Sequence, residues 1–183
     1  MSKSVADNAQ HSELPALLQL LQSGGFIMAK GGNTTYIACD ATDNKPVETL
    51  IKLSSFYPNS DKVILVDNIS RIQAYTNDLP DIAWDLFELS EKPLFLIPDN
   101  LKNIADKLIQ LTNNIAFGLA NETLVKNLCS RFRKPLFCIF LHNEKINNDL
   151  LPENTQAFKV SSTSVVPSKI KLSKGNQIEI LRS

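Results

Sequence analysis

At 183 residues the chain has the length of about one domain, and 43% hydrophobic content suffices for one well-buried core while excluding a disordered or fibrous class. Net charge is zero, yet it is unevenly spread: residues 1–125 hold 9 Lys and Arg against 15 Asp and Glu, a net of −6, and residues 126–183 hold 10 against 4, a net of +6. The first ten residues lack the apolar core of a secretory signal and the longest apolar stretch, 135–141, is far too short for a bilayer, so a cytoplasmic protein without membrane contact is expected.

In chain order, residues 1–11 read as a disordered arm, and Ser12 as the cap of a helix with Leu14, Leu17, Leu18 and Leu21 at helical spacing. Gly24-Gly25 ends it. Residues 26–29 and 34–38 read as strands around a Gly31-Gly32 connection needing positive φ. Asn44 and Pro46 open a helix carrying Val47, Leu50, Ile51 and Ser54. A strand at 62–66 is followed by a helix over 80–89, with Ile82, Leu86 and Leu89 on one stripe, and by a strand at 93–97. Helices at 101–111 and 122–132 bracket a strand near 115–119. The run 135–141, apolar and bounded by charges, is typical of a central strand buried on both faces. A polar loop over 143–154 leads to short strands at 157–160, 169–172 and 177–181, the last two alternating like a hairpin with Gly175 in its turn. Strands and helices interleave throughout, which predicts one mixed α/β domain over 12–183.

Few residues suggest chemistry by themselves. Cys39, Cys129 and Cys138 are odd in number and lack C-x-x-C spacing, so they read as buried hydrophobes rather than a disulfide framework or a zinc site, and no metal is expected. His11 and His142 are the only histidines; His142 either faces a pocket or is a solvated strand end. Asp78, Asp81 and Asp85 read as a helix cap and first turn. Ser161, Ser162, Thr163 and Ser164 form a polar loop without a base, so no catalytic residue is assigned. Arg131, Arg133 and Lys134, with Lys126 upstream, are the densest basic cluster, suited either to RNA phosphates or to a helix C-terminus.

The segment 24–42, GGFIMAKGGNTTYIACDAT, matches neither G-x-x-x-x-G-K-[ST] nor G-x-G-x-x-G, and its glycines lead into a strand instead of a helix. It does resemble the opening of the YrdC-like family, the threonylcarbamoyl-AMP synthases and YciO-like proteins, which reads roughly G-G-[IV]-[IV]-A-Y-P-T-D-T-V-Y-G-L-G-C-D-A. Further along, 47–66 resembles the family's helix and strand around Lys-x-Arg, and 93–98 its P-G-P-x-T strand. In the same way 135–142 resembles its Ser-Ala-Asn strand, and 167–182 its S-T-V-V-D to L-R-P-G segment. The resemblance implies a single twisted mixed β-sheet with flanking helices, the YrdC-like or DHBP-synthase-like fold.

The signatures themselves differ. Lys-x-Arg falls on Ser54 and Phe56, the threonine of P-G-P-x-T on Phe95, Ser-Ala-Asn on Phe140-Leu141-His142, and the arginine of V-R-[VM]-P on Gly118. Losing cationic clamps on a transferring phosphate costs about 10² to 10³ in rate for each, so the expected protein is a catalytically inactive binder. The resemblance implies ATP or another nucleotide as ligand, at Asn33, Thr34, His142, Ser168 and Arg182. Structured RNA or tRNA is the implied partner, without DNA specificity, and the clustering of charge puts its contacts at Lys126, Arg131, Arg133 and Lys134. Two alternatives stand beside this: a residual or repurposed threonylcarbamoyl-AMP synthase in tRNA modification, and a protein-interaction module with an apolar patch at the old pocket.

Overall fold

The computed structural model describes residues 13–31, 34–77, 79–160, 166–173 and 177–183. The arm at 1–11, the Ser12 cap, His11, Asn33, Asp78, the Ser161–Ser164 run and the Gly32 and Gly175 turns lie outside the described residues. Helix α1 covers 13–22, and Gly24 leaves it at φ +77°, a conformation that costs glycine little.

Among the described residues nine strands form one mixed sheet: β1 (Phe26–Gly31), β2 (Thr34–Asp40), β3 (Asp61–Val66), β4 (Leu94–Ile97), β5 (Ile115–Leu119), β6 (Leu136–His142), β7 (Thr155–Lys159), β8 (Ser168–Ser173) and β9 (Gln177–Arg182). Their spatial order is β7-β1-β2-β6-β3-β5-β4-β8-β9, with parallel pairs at β1–β7, β3–β5 and β4–β8 and antiparallel pairs elsewhere. Strand β6 lies between β2 and β3, which explains its unbroken apolar sequence: helices cover both faces there.

Alternation along the strands divides the core in two. On one face Ala38, Val63, Leu65, Leu136 and Cys138 pack under α1 through Leu14, Leu17 and Leu21, and under α5 (Thr123–Phe132) through Leu124, Leu128 and Phe132. On the other, Ile37, Ile64, Phe117, Phe137 and Ile139 pack under α2 (Asn44–Ser54) through Val47, Leu50 and Leu53. Asp43 caps α2 by accepting from the Lys45 amide, and Glu122 caps α5 by accepting from that of Val125 at 3.2 Å.

Two expected helices need correction. In α3 (Asp81–Leu89) only Leu86 of the expected stripe packs: Leu89 is 80% exposed and Ile82 is exposed too, while Ala83 is buried and Phe87 joins Leu86 on Leu94, Leu96 and Ile170. Spacings of four and three residues fit several faces of a nine-residue helix, and only the position of the sheet selects among them. The helix expected at 101–111 is helical only as α4 (Asp106–Gln110). Leu101, Ile104 and Ala105 are buried in an irregular segment that bends at Asn103, φ +56°, and is tied by hydrogen bonds from the Lys102 amide to the Tyr75 carbonyl and from the Ala105 amide to that of Ala41.

Candidate functional site

The face carrying α1 and α5 is not fully covered, and a cavity of about 330 Å³ opens beside the β5–α5 junction. Thr34, Tyr36 and Phe140 form one wall, Phe95 and Pro93 another, and Ala120, Asn121, Glu122 and Thr123 the rim where α5 begins. Cross-strand register builds the wall, for Tyr36 lies opposite Phe140 and Thr34 opposite His142. The rings follow that register: Tyr36 stacks on Phe140 at 4.6 Å, and Phe95 meets Phe140 edge-on at 5.0 Å. Burial above all, and then the neighbouring thiols, hold the Tyr36 phenol well above its usual pKa, so it is a neutral hydroxyl.

Gly118 makes room for this arrangement. A Cβ there would lie 3.0 Å from Phe95 Cε1 and 3.1 Å from Val63 Cγ1, so the position where the resemblance places an arginine is the one over which Phe95 lies. Gly118 and Phe95 therefore pack directly against each other. Ser54 bonds the Ile51 carbonyl at 2.7 Å within α2, Phe56 is 62% exposed, and neither lines the cavity.

Next to the aromatic wall lies a charged cluster that the sequence did not announce. Asp61 opens β3 opposite Phe140, with its side chain only 5% exposed. Three donors reach it: Lys169 Nζ at 2.9 Å from Oδ1, and His142 Nε2 at 2.9 Å and Arg182 Nη2 at 2.7 Å from Oδ2. Burial pushes the Asp61 carboxyl up, but the hydrogen bonds from His142, Arg182 and Lys169 outweigh it and hold the group well below the usual carboxylate range. Asp61 thus stays ionised. Of the residues expected at a nucleotide, Thr34 lines the cavity, His142 and Arg182 are engaged with Asp61, and Ser168 sits in β8 with its amide on the Pro93 carbonyl at 2.9 Å.

The basic cluster lies elsewhere. Lys126, Arg131, Arg133 and Lys134 are all exposed, the last three at the C-terminal end of α5, about 15 Å along that helix from the cavity rim. Arg133 ends the helix in the left-handed region, at φ +61°, its amide bonding the Cys129 carbonyl at 3.1 Å. Lys134 is committed to Asp40, 2.6 Å away. Asp40 also accepts from the Thr42 amide and hydroxyl, which gives the Cys39-Asp40-Ala41 segment a polar anchor at the end of β2. All three cysteines are free and buried; burial, then the charge of Asp67, pushes the Cys129 thiol up to about 12, leaving it unreactive. Among the described residues no group of His, Cys, Asp and Glu could hold a metal ion, and no helix is long and apolar enough to cross a membrane.

Sheet order, the helices on both faces and the open concave cavity together define a class of α/β protein that comparison with known proteins identifies. The family profile Sua5_yciO_yrdC, described as Telomere recombination, matches residues 19–178, and the chain belongs to this family. The Threonylcarbamoyl-AMP synthase of Pseudoalteromonas translucida (strain TAC 125) is 24% identical over 131 residues, 70% of each chain. E. coli YciO superposes with a TM-score of 0.71 at 13% identity, over 94% of this chain and 89% of its own. P. abyssi Sua5 complexed with L-threonine superposes with a TM-score of 0.71 at 10% identity; the match covers 93% of this chain but 53%, about half, of Sua5. At these identities the superpositions establish the fold.

Proposed function

We propose that the chain acts in tRNA threonylcarbamoyladenosine modification, as a relative of the threonylcarbamoyl-AMP synthases that uses the concave cavity as its small-molecule site. The observation that carries this reading is the cavity itself, about 330 Å³ of open space on the family's sheet, at the lower end of the range for small-molecule sites. The name of the P. translucida relative and the L-threonine bound in P. abyssi Sua5 support it.

Electrostatics favours a second form of the same reading, binding without synthesis. Forming an adenylate from ATP gathers negative charge on the phosphates, and cations normally stabilise it. Among the described residues lining the cavity there is neither Lys nor Arg, and the adjacent Lys169 and Arg182 are spent on Asp61. In that form the exposed Lys126, Arg131 and Arg133 would serve RNA phosphates.

One experiment separates these outcomes. Purified protein is incubated with ATP, threonine and bicarbonate, adenylate is measured by mass spectrometry, and binding of ATP and threonine is followed by ligand-observed NMR. Product above the protein-free control, lost in Tyr36→Ala, supports a synthase; binding without product supports the second form. Neither product nor binding refutes both.

A further inference from the structure

Asp61 is approached by donors from three strands: His142 at the end of β6, Lys169 in β8 and Arg182 in β9. A fan of cationic N–H groups on one compact acceptor is how proteins hold a bound carboxylate or phosphate. Here the acceptor comes from the chain itself. Two observations distinguish the cluster from an ordinary balanced ion pair. Its charges do not cancel, since one carboxylate faces both a lysine and an arginine, and the adjacent Lys62 has its pKa lowered by burial and then by the charge of Lys169. Moreover, His142, with only 10% of its side chain exposed, has a buried Nδ1 with no hydrogen-bond partner among the described residues, so the contact of Nε2 with Asp61 is the hydrogen bond that holds its ring.

We propose that this cluster is a small-oxyanion site which the chain fills with its own Asp61 carboxylate. The wild-type concave face consequently refuses an anionic ligand group at this point, and a variant without that carboxylate accepts one. The ligand class is a compact oxyanion, a carboxylate or a phosphate group. Phe140 links the site to the cavity, lining the cavity on one side and stacking towards His142 at 6.3 Å on the other. Asp61 is thereby a specificity-determining residue for this point of the face, which lies beside the cavity and outside its lining. This inference concerns which chemical group the face excludes, so it stands or falls separately from whether the chain synthesises an adenylate.

The test is anion rescue. Asp61→Ala removes the carboxylate and leaves space in front of the donors, whereas Asp61→Asn removes the charge and leaves the space filled. Sodium formate and inorganic phosphate are titrated against wild type and both variants, with sodium chloride holding ionic strength constant. The melting temperature of Asp61→Ala should rise by roughly 5–10 °C at an anion concentration about 100 times its Kd, while wild type and Asp61→Asn stay nearly flat. A response to formate alone defines a carboxylate-sized site, and a response to both defines a general oxyanion site. Equal responses in all three proteins would overturn the proposal. Should Asp61→Ala not fold unaided, refolding in formate or phosphate must recover native protein that chloride does not recover; failure of that recovery overturns the proposal as well.

Discussion

Replacing Asp61 by asparagine keeps the shape of the side chain and removes only its charge, leaving Lys169 and Arg182 facing each other without a counter-ion. Removing one partner of a buried ion pair costs about 3–5 kcal/mol when the remaining charge is fully enclosed. The Lys169 and Arg182 side chains retain partial access to water, so the lower end applies, about 3 kcal/mol. For a chain of this length that lowers the melting temperature by roughly 6–12 °C. The pH dependence supplies a second signature. The folded-state pKa of Asp61 is depressed, so its stabilisation is fully present above the unfolded value of about 3.9 and is lost as pH falls from there through the folded value. Urea unfolding of wild type and Asp61→Asn should therefore show a constant gap near neutral pH that narrows progressively below about pH 4. A gap under about 1 kcal/mol at neutral pH, or one that does not change with acid, would refute the view that Asp61 is held ionised by its three donors.

Further measurements probe other parts of the structure. Gly118→Ala brings a methyl against Phe95 and Val63 and should destabilise by about 1–2 kcal/mol; combined with Phe95→Leu in a double-mutant cycle of urea midpoints, the coupling should exceed about 0.5 kcal/mol. Additive effects would show that the ring and the glycine are not one packing unit. Arg133→Gly relieves a left-handed arginine at the end of α5 and should stabilise by about 1 kcal/mol, read as a higher melting temperature. If duplex RNA is bound, converting Arg131, Arg133 and Lys134 to alanine should flatten the salt dependence of its affinity by roughly two to three units of slope. Because Lys134 is held by Asp40, Lys134→Ala alone should change the slope by less than Arg131→Ala, and identical titrations of wild type and triple variant would remove this surface as an RNA site.

What the sequence determined by itself is local. Each strand shows in two-residue alternation or an apolar run, and α2 and α5 in helical spacing behind Asn44 and Glu122, because these patterns depend only on neighbours along the chain. The buried state of Cys39, Cys129 and Cys138 follows from the same reading. The glycine and proline punctuation also carried the family resemblance. The tertiary structure alone decided what meets across the sheet. Asp61 finds His142, Lys169 and Arg182 at separations of 81, 108 and 121 residues, and Asp40 finds Lys134 at 94. No periodicity encodes such pairs, since they depend on strand order and register, which are set by how both faces of the sheet are buried. Likewise the face of α3 that packs, through Ala83 and Phe87, follows from where β4 and β8 lie, and the late start of α4 at Asp106 from the bonds that tie Lys102 to Tyr75 and Ala105 to Ala41. Residues that read singly as candidate ligands for a nucleotide, His142 and Arg182, thus prove to be partners of a carboxylate within the same chain, because a buried charge is stabilised by whichever opposite charges the fold brings within hydrogen-bond reach.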